Sequence, residues 1–205
     1  MFDNKHQGPM DTFWHRKFGP TVGAIAVFLL EVIQIVIISA AIIIPIRYFL
    51  IQPFYVKGAS MEPNFYDHEY LVIDELSYRF RNPERGEIVV FRYPRDPSQF
   101  FIKRVIGLPG ETVEFTNDQV KIYNAANPNG AILEEPYLNG VPTHGQKKIT
   151  LAADEYVVLG DNRDESLDSR VFGPVKRELI VGRVWVRGLP VSRFSVFEPP
   201  TYNFR

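Results

Sequence analysis

A serine in a tight turn is the first residue of this sequence that could carry out chemistry. Ser60 lies in Gly-Ala-Ser-Met-Glu-Pro, residues 58–63, between two small residues and a following proline. Such a turn at a strand end can expose the hydroxyl and leave the serine N–H free to stabilise an oxyanion. Serines in turns are common, so the turn alone does not identify a nucleophile. Glu62 stands where a Gly-x-Ser-x-Gly nucleophile elbow would have glycine, so that elbow is not indicated.

A serine nucleophile needs a base, and the 4 histidines are poorly placed to supply one. His6 and His15 precede a long apolar segment, whereas Ser60 follows it. His68 and His144 lie in polar, turn-rich stretches that are typical of the protein surface. We therefore look for a different base.

Lys103 is the stronger candidate. It lies in Phe-Phe-Ile-Lys-Arg-Val-Ile, residues 100–106, a strand pattern whose other charged residue is Arg104. Successive strand residues point to opposite faces, so one of these cations can be buried while the other is solvated. Burial disfavours the ammonium and lowers a lysine pKa from about 10.4 toward neutrality, which makes the amine a base. A solvated edge lysine that discourages aggregation is the alternative.

A third segment, Gly-Asp-Asn-Arg-Asp-Glu-Ser-Leu-Asp-Ser-Arg at residues 160–170, is a polar loop that follows an apolar strand. Asp161, Asp164 and Asp168 could supply oxygens to calcium, but their spacing is not that of an EF-hand. The two arginines of the loop would also oppose a cation. We interpret the loop as a hydrogen-bonded network with internal ion pairs that buttresses an active site.

The composition excludes several other kinds of chemistry. The 205 residues include no cysteine, which rules out disulfides, thiolate zinc sites and a cysteine nucleophile. A formal net charge of −1, with both signs mixed along the chain, gives no reason to expect nucleic-acid binding.

Short apolar runs separated by turn-forming residues predict a mainly β domain over residues 47–198. Residues from about 112 to 154 are richer in Asn, Gly and Pro than their flanks, which predicts a smaller β-rich insertion. Residues 199–205 are predicted to be a tail with little reason to fold. The predicted strands are residues 53–56, 70–73, 87–91, 100–106, 112–115, 120–123, 155–159 and 181–186.

An apolar segment, residues 22–46, precedes this domain and carries one charge, Glu31. As a helix it would rise roughly 37 Å, enough to cross a hydrocarbon core of about 30 Å. It is longer than the apolar part of a cleaved signal peptide, typically about 7–15 residues. We predict an uncleaved transmembrane anchor; a buried helix and a cleaved leader are the alternatives.

The charges that flank this segment predict its orientation. Arg16 and Lys17 precede it and Arg47 follows it. The positive-inside tendency favours a cytoplasmic N-terminal segment, residues 1–21, and places the rest of the chain outside. We interpret Glu31 as a protonated or snorkelling side chain, the alternative being a polar contact within the bilayer.

Four segments, in this order, resemble the motifs of bacterial type I signal peptidases, which are serine–lysine dyad proteases. They are the serine turn, Arg-Gly-Glu-Ile-Val-Val-Phe at 85–91, Phe-Ile-Lys-Arg-Val-Ile-Gly-Leu-Pro-Gly-Glu at 101–111, and the 160–170 loop. The resemblance implies a signal-peptidase-like antiparallel β catalytic domain. It also implies removal of signal peptides from secreted pre-proteins after small residues of the Ala-x-Ala type, with no metal or organic cofactor.

The resemblance further implies a role for each matching residue. Ser60 is the nucleophile, Lys103 the general base, and Ser166 the residue that orients the lysine by a hydrogen bond. Asp168 and Arg170 form a structural ion pair that supports the loop. The residues that match the family's substrate groove are all apolar, and each taken singly could equally be ordinary core. They are Phe54, Val56, Met61, Phe65, Val90, Phe101 and Ile102.

The implied location is the bacterial plasma (inner) membrane. The implied partners are the lipid bilayer and secreted pre-proteins, with the secretion translocon as a further candidate. Two positions depart from the family pattern. Gly58 stands where some members have a hydroxyl residue that helps the oxyanion hole, and Glu165 stands where asparagine is common. Glu165 adds a negative charge that could alter the lysine pKa.

Two other functions stay open. A self-cleaving serine–lysine regulator would share the fold, but an apolar span stands where such proteins usually carry a DNA-binding module. A membrane-tethered β-rich binding protein that has lost activity would share the architecture. The retention of Ser60, Lys103 and Ser166 argues against that loss.

Overall fold

The computed structural model describes residues 20–49 and 51–204 of the 205-residue chain. Nearly all of the predicted cytoplasmic segment, residues 1–21, therefore lies outside the described residues. The chain divides between Tyr48 and Phe49 into two compact units. The first contains the predicted anchor and the second contains the predicted β domain.

Helix α1, Pro20–Phe49, contains the described part of the first unit and ends at the first residue of the second. A proline is favoured at a helix start because the N–H that it lacks would have no partner there. The segment Ala24–Ile44 is long and apolar enough to cross a membrane, and none of it is buried within the structure. A helix satisfies its backbone polar groups internally, which a hydrocarbon environment requires. The helix covers the predicted span, residues 22–46, and extends beyond both of its ends.

The second unit is mainly antiparallel β structure, which confirms the predicted fold class. All eight predicted strands are present to within a few residues, whereas four strands of two to four residues were too short for their pattern to be recognised. A short helix, α2, spans Ser169–Phe172. The strands are β1 Ile51–Tyr55, β2 Tyr70–Asp74, β3 Ile88–Tyr93, β4 Asp96–Gly107, β5 Thr112–Thr116, β6 Gln119–Tyr123, β7 Ala131–Ile132, β8 Lys147–Thr150, β9 Glu155–Leu159, β10 Val175–Lys176, β11 Ile180–Leu189 and β12 Ser195–Val196.

These strands form two sheets. The larger has the order β1-β2-β11-β3-β4-β9-β10, with β12 paired to β11. The smaller has the order β7-β6-β5-β8 and lies between β4 and β9 in the sequence. Because β4 and β9 pair with each other, the chain leaves the larger sheet after β4, forms the smaller sheet and returns beside β4. A buried cluster containing Ile106, Val113, Phe115 and Val157 packs the two sheets together.

Strands β1 and β4 are among those that have an edge without a strand partner among the described residues. Strand β1 ends the larger sheet and pairs only with β2. Strand β4 pairs with β3 along most of its length, but it pairs with β9 only from Arg104 to Gly107. The first half of β4 therefore keeps one edge open, as β1 does.

The chain end is folded against the second unit, so the prediction that residues 199–205 have little reason to fold is wrong as far as Phe204. Tyr202 packs against the buried cluster that joins the two sheets. Its hydroxyl donates to the Tyr137 hydroxyl at 3.3 Å. Phe204 forms a β-bridge with Leu133.

A glycine makes room for this chain end. A Cβ placed on Gly86 would lie 2.6 Å from the Tyr202 ring and 2.8 Å from Pro200. These distances are shorter than van der Waals contact, so the absence of a side chain at Gly86 allows the aromatic ring to approach the backbone. A pattern in the tail alone could not reveal this long-range contact.

We expect Gly86→Ala to destabilise the folded chain by about 2–4 kcal/mol and Gly110→Ala by about 1 kcal/mol. Both glycines have positive φ angles, +89° and +78°, so alanine strains the backbone at each. Nothing lies within 4 Å of a Cβ at Gly110, so only Gly86→Ala also clashes with the chain end. Chemical unfolding of the full chain in detergent would measure both. Equal destabilisation would contradict the packing of the tail on Gly86.

Candidate active site

Ser60 lies in a turn that follows β1. Gly58 opens the turn at a φ of +87°, and its N–H donates to Asp67 Oδ1 at 3.0 Å. Asn162 ties the turn to the polar loop after β9, because its N–H donates to Ser60 O and its side-chain amide donates to Ala59 O, both at 3.1 Å. The Ser60 N–H has no hydrogen-bond partner among the described residues. It is therefore available to an oxyanion.

The side chains of Ser60 and Lys103 are in direct contact. Lys103 Nζ lies 2.6 Å from Ser60 Oγ and donates to Ile102 O at 2.9 Å. Lys103 is 3% exposed and lies on β4, just before the residues of that strand that pair with β9. Its side chain is buried although this part of the strand has an open edge, so the alternative of a solvated lysine is wrong. A hydroxyl beside an amine that can lose its proton has the geometry of a nucleophile and its base.

Burial lowers the pKa of Lys103 from its ordinary value of 10.5 to about 8. The charges of Asp168 and Asp161 act in the opposite direction and offset part of this shift. Glu165, which we expected to alter this pKa, is not among the charges that shift it. At pH 7 about one Lys103 side chain in ten is then the free amine, against fewer than about one in a thousand for an ordinary lysine.

Arg104 points to the opposite face of β4 and is also buried, at 5% exposure, so both cations of this strand are buried where the pattern allowed one to be solvated. Its guanidinium donates to both carboxylate oxygens of Asp161, at 2.8 and 2.6 Å, and lies 3.9 Å from the centre of the Tyr137 ring. Asn64 donates to the same carboxylate at 2.9 Å. The pair of charges thus joins the strand of Lys103 to the turn of Ser60 and to the polar loop, which stabilises burial of the arginine.

The polar loop has the predicted character of an internally bonded network. Arg170 donates from Nε and Nη2 to the Asp168 carboxylate, at 2.9 and 2.8 Å. Asp168 also accepts from Gly160 N–H at 3.2 Å and from Arg170 N–H, which caps α2. No group of His, Cys, Asp and Glu within residues 20–49 and 51–204 could hold a metal ion, so the calcium alternative has no support there.

Ser166 lies beside Ser60 without the hydrogen bond to Lys103 that we expected. Its Oγ is buried and has no hydrogen-bond partner in the part of the chain that the structure describes, because the Lys103 amine is directed to Ser60 Oγ and to Ile102 O. Ser166 Oγ and the Ser60 carbonyl both crowd the place that a Cβ on Gly160 would occupy. The arrangement leaves one buried hydroxyl unsatisfied next to the nucleophile, which is unfavourable and unusual in a folded protein.

A groove of about 710 Å³ contains Ser60 and Lys103. Five of the seven residues predicted for substrate binding line it: Phe54, Val56, Val90, Phe101 and Ile102. A second cavity of about 590 Å³ is lined mainly by the smaller sheet and its loops and contains none of the predicted site residues.

Two predicted groove residues do not reach the groove. Met61 and Phe65 are 1% and 0% exposed and belong to an apolar cluster with Leu71 and Val184. Both side chains face inward and form part of the apolar core beneath the Ser60 turn. For these two, the alternative of ordinary core describes the structure.

Sequence reasoning also missed residues that line the groove. Phe100, Leu167, Gln99 and Lys57 do so, and Glu165, which the sequence analysis singled out for its charge, also lines the groove. The apolar run that contains Lys103 includes Phe100, so the alternation of faces along that strand was the signal that could have identified it.

Comparisons with known proteins show the family that this chain is similar to. The family model described as signal peptidase, peptidase S26, matches residues 29–188 of this chain. A signal peptidase I from Leptolyngbya laminosa is 39% identical over 179 residues, which covers 84% of this chain and 85% of that protein. A probable signal peptidase I-2 from a Synechocystis species is 39% identical over 173 residues, with coverages of 82% and 76%.

A more distant bacterial relative also matches over most of its length. Signal peptidase IB from Staphylococcus aureus (strain MRSA252) is 33% identical over 194 residues, which covers 86% of this chain and 94% of that protein. The crystal structure of a signal peptidase I from Enterococcus faecalis V583 is 36% identical and covers 51% of this chain and 97% of that chain, with a TM-score of 0.43. The family model and these curated relatives confirm the resemblance that the four motifs indicate.

The buried lysine predicts a pH-dependent effect on stability. One pKa unit corresponds to about 1.4 kcal/mol, so burying the protonated Lys103 destabilises the fold by about 3 kcal/mol. This penalty is full below pH 8, where both folded and unfolded chains hold the proton. It decreases as the pH rises toward 10.5, because the folded chain loses its proton first. Lys103→Met is therefore expected to stabilise the fold at pH 7 and to have less effect near pH 10.

Chemical unfolding in detergent between pH 6 and pH 10 would measure this difference. Lys176→Met, at an exposed position on β10, is the matched control and should show no such trend. If Lys103→Met increases the free energy of unfolding by the same amount at every pH, the lowered pKa of Lys103 is not the cause of the increase.

Proposed function

This chain belongs to the signal peptidase family, peptidase S26, and on that basis we propose that Ser60 and Lys103 cleave signal peptides from exported pre-proteins after Ala-x-Ala-type sites. Family membership makes the chain a serine peptidase, a hydrolase that removes signal peptides from pre-proteins. The observation that carries the finer proposal is the 2.6 Å between Lys103 Nζ and Ser60 Oγ inside a groove.

In the proposed mechanism the free amine of Lys103 takes the Ser60 proton, and Ser60 Oγ attacks the carbonyl carbon of the scissile bond. The Ser60 N–H, which has no partner among the described residues, donates to the oxyanion that forms. The Lys103 ammonium then gives its proton to the departing amine, and water hydrolyses the ester on Ser60. The pKa near 8 suits an amine that must take up and release a proton close to neutral pH.

The two open strand edges support an extended mode of substrate binding. The groove is bordered by β1 with the residues that follow it, and by the first half of β4. An extended peptide can pair its backbone with such edges, while alternate side chains enter pockets. Val56, Val90 and Ile102 line the groove with aliphatic surface. This surface fits the small apolar side chains of an Ala-x-Ala site.

We assign Ser166, Asp168 and Arg170 supporting roles. Acylation of Ser60 removes its hydroxyl proton, and Lys103 then needs another hydrogen-bond partner. The Ser166 hydroxyl is the buried, unpartnered group beside Ser60 that can supply it. The ion pair between Asp168 and Arg170 holds the loop that carries Ser166, because Asp168 also binds the Gly160 N–H.

The proposed setting is the bacterial plasma membrane. In this proposal residues 22–46 span the bilayer once, residues 1–21 are cytoplasmic, and residues 47–198, with the insertion at about 112–154, are extracytoplasmic. The unburied apolar surface of Ala24–Ile44 supports contact with lipid. An anchor of this kind would hold the groove near the membrane surface, where pre-proteins emerge, and the secretion translocon is a proposed neighbour.

We expect Ser60→Ala and Lys103→Met each to lower kcat for cleavage of an Ala-x-Ala pre-protein by at least about a thousandfold. For the parent chain, kcat/KM should rise with pH to a midpoint near 8, because only the free amine of Lys103 is a base. The measurement is cleavage of a purified pre-protein by the detergent-solubilised chain, with the product sequenced at its new N-terminus.

Lys176→Met, at an exposed position outside the groove, is the matched control and should cleave like the parent. Equal cleavage by the parent, Ser60→Ala and Lys103→Met would overturn the dyad. Absence of cleavage by a folded parent chain would favour the membrane-tethered binding protein. Cleavage of the chain itself, with the pre-protein left intact, would favour the self-cleaving regulator.

Ser166→Ala is expected to separate stability from activity. Removing a buried hydroxyl that has no partner should stabilise the fold by about 1 kcal/mol. If Ser166 orients Lys103 during the reaction, kcat should fall by about 10- to 100-fold and KM should change little. Unfolding midpoints and steady-state kinetics test the two parts, with Ser192→Ala, at an exposed serine, as the control. An unchanged kcat would leave Ser166 without a role in the reaction.

A further inference from the structure

The loop between β7 and β8 contacts residues on both sides of the Ser60–Lys103 pair. Glu135 lies in this loop, and its two carboxylate oxygens accept hydrogen bonds from the Arg163 guanidinium at 2.5 and 2.8 Å. The side chain of Arg163 is 0% exposed and that of Glu135 is 8% exposed. Bidentate bonds between opposite charges are among the strongest that side chains form, so they fix this loop to Arg163.

Arg163 connects this contact to the turn of the nucleophile. Its Nε donates to Gly160 O at 3.1 Å, so the guanidinium that binds Glu135 also closes the turn from Gly160 to Arg163. The backbone N–H of Asn162, within that turn, donates to Ser60 O at 3.1 Å. The position of Ser60 therefore depends on a segment that Glu135 holds through Arg163.

Tyr137 connects the same loop to the strand of the base. Its ring centre lies 3.9 Å from the guanidinium carbon of Arg104, the residue that follows Lys103 on β4. Its hydroxyl donates to Glu135 Oε1 at 2.6 Å, and its carbonyl accepts from the Asn64 side chain at 3.4 Å. One hydrogen-bonded pair of side chains thus contacts the residue after Lys103 and the segment that holds Ser60.

We propose that Glu135 and Tyr137 are positioning residues that keep Ser60 Oγ and Lys103 Nζ at reacting distance. This inference rests on the proposed function, because it takes these two atoms to be the nucleophile and its base. Neither Glu135 nor Tyr137 lines the groove, so their effect on the reaction is not one of peptide binding. A displacement of about 1 Å between reacting groups can lower a rate by about a hundredfold.

Glu135→Gln tests the proposal, because it removes the charge that Arg163 binds and keeps the size of the side chain. We expect kcat for cleavage of the Ala-x-Ala pre-protein to fall by about 10- to 100-fold and KM to change by less than about twofold. The midpoint of the pH profile should stay near 8, because Glu135 is not among the charges that shift the pKa of Lys103. Steady-state kinetics of the full chain in detergent between pH 6 and pH 10 measure all three quantities.

Glu111→Gln is the matched control. The Glu111 side chain is 9% exposed and accepts two bonds from Arg85, at 2.6 and 2.7 Å, so it repeats the geometry of Glu135. Its other partners are the Leu108 N–H and the Asn124 side chain, which lie outside the Ser60 turn and the polar loop. Glu111→Gln should lower the denaturant midpoint about as much as Glu135→Gln does, but it should keep the kcat of the parent.

Tyr137→Phe is a milder variant that keeps the test independent of whether Glu135→Gln folds. It removes the bond to Glu135 and leaves the ring on Arg104, so kcat should fall by about three- to tenfold. A kcat equal to that of the parent in either variant, or an equal fall in Glu111→Gln, would overturn the proposal. A displaced pH midpoint with an unchanged maximal kcat would also overturn it. Failure of the parent to cleave the pre-protein would instead overturn the proposed function.

Discussion

The structure around the candidate site depends on the removal of one lysine amine from water. Burial alone would drive the pKa of Lys103 far down, and two buried aspartates pull it up again to about 8. Each aspartate is itself paired with an arginine, Asp161 with Arg104 and Asp168 with Arg170. These arginines limit how strongly the carboxylates stabilise the ammonium. Burial thus lowers the pKa of Lys103, and the two partly neutralised carboxylates raise it. The net result is an amine that can change its protonation state near neutral pH.

Successive side chains of β4 point to opposite faces, and this alternation separates the base from the buried ion pair. Lys103 faces Ser60, and Arg104, its neighbour on β4, faces the loop and the chain end. Because Asp161 also binds Asn64, one carboxylate connects β4, the nucleophile's turn and the polar loop. Segments that are distant in sequence are therefore held at fixed separation by charge-assisted hydrogen bonds that water does not reach.

The local patterns predicted well what depends on local sequence. Apolar periodicity identified the long helix and eight strands, and turn chemistry indicated the exposed serine. Two of the errors concern partners that are remote in sequence. The strand pattern allowed one of Lys103 and Arg104 to be solvated, because the carboxylate that pairs with Arg104 is supplied by a loop after another strand. Tyr202 was assigned to an unfolded tail because its contact is the bare backbone of Gly86.

Motif matching had a related limit. It assigned Met61 and Phe65 to the groove. A motif identifies the positions that surround a site, but it does not tell which side chains line the groove and which are buried in the core beneath it. The expected bond from Ser166 to Lys103 failed for a similar reason, because a lysine amine has several acceptors within reach. The choice among them is made by three-dimensional packing that no single segment contains.

A sheet edge left open for a peptide is also open to other copies of the same protein. Strand β1 contains Pro53, which has no N–H to donate, so a ladder cannot run uninterrupted along its length. The open part of β4 is confined to its first half, because β9 covers the rest. A partner can therefore pair over only a few residues on either side. Two short open edges that face one groove suit a single narrow strand, and they offer little to the growing sheet of an amyloid-like assembly.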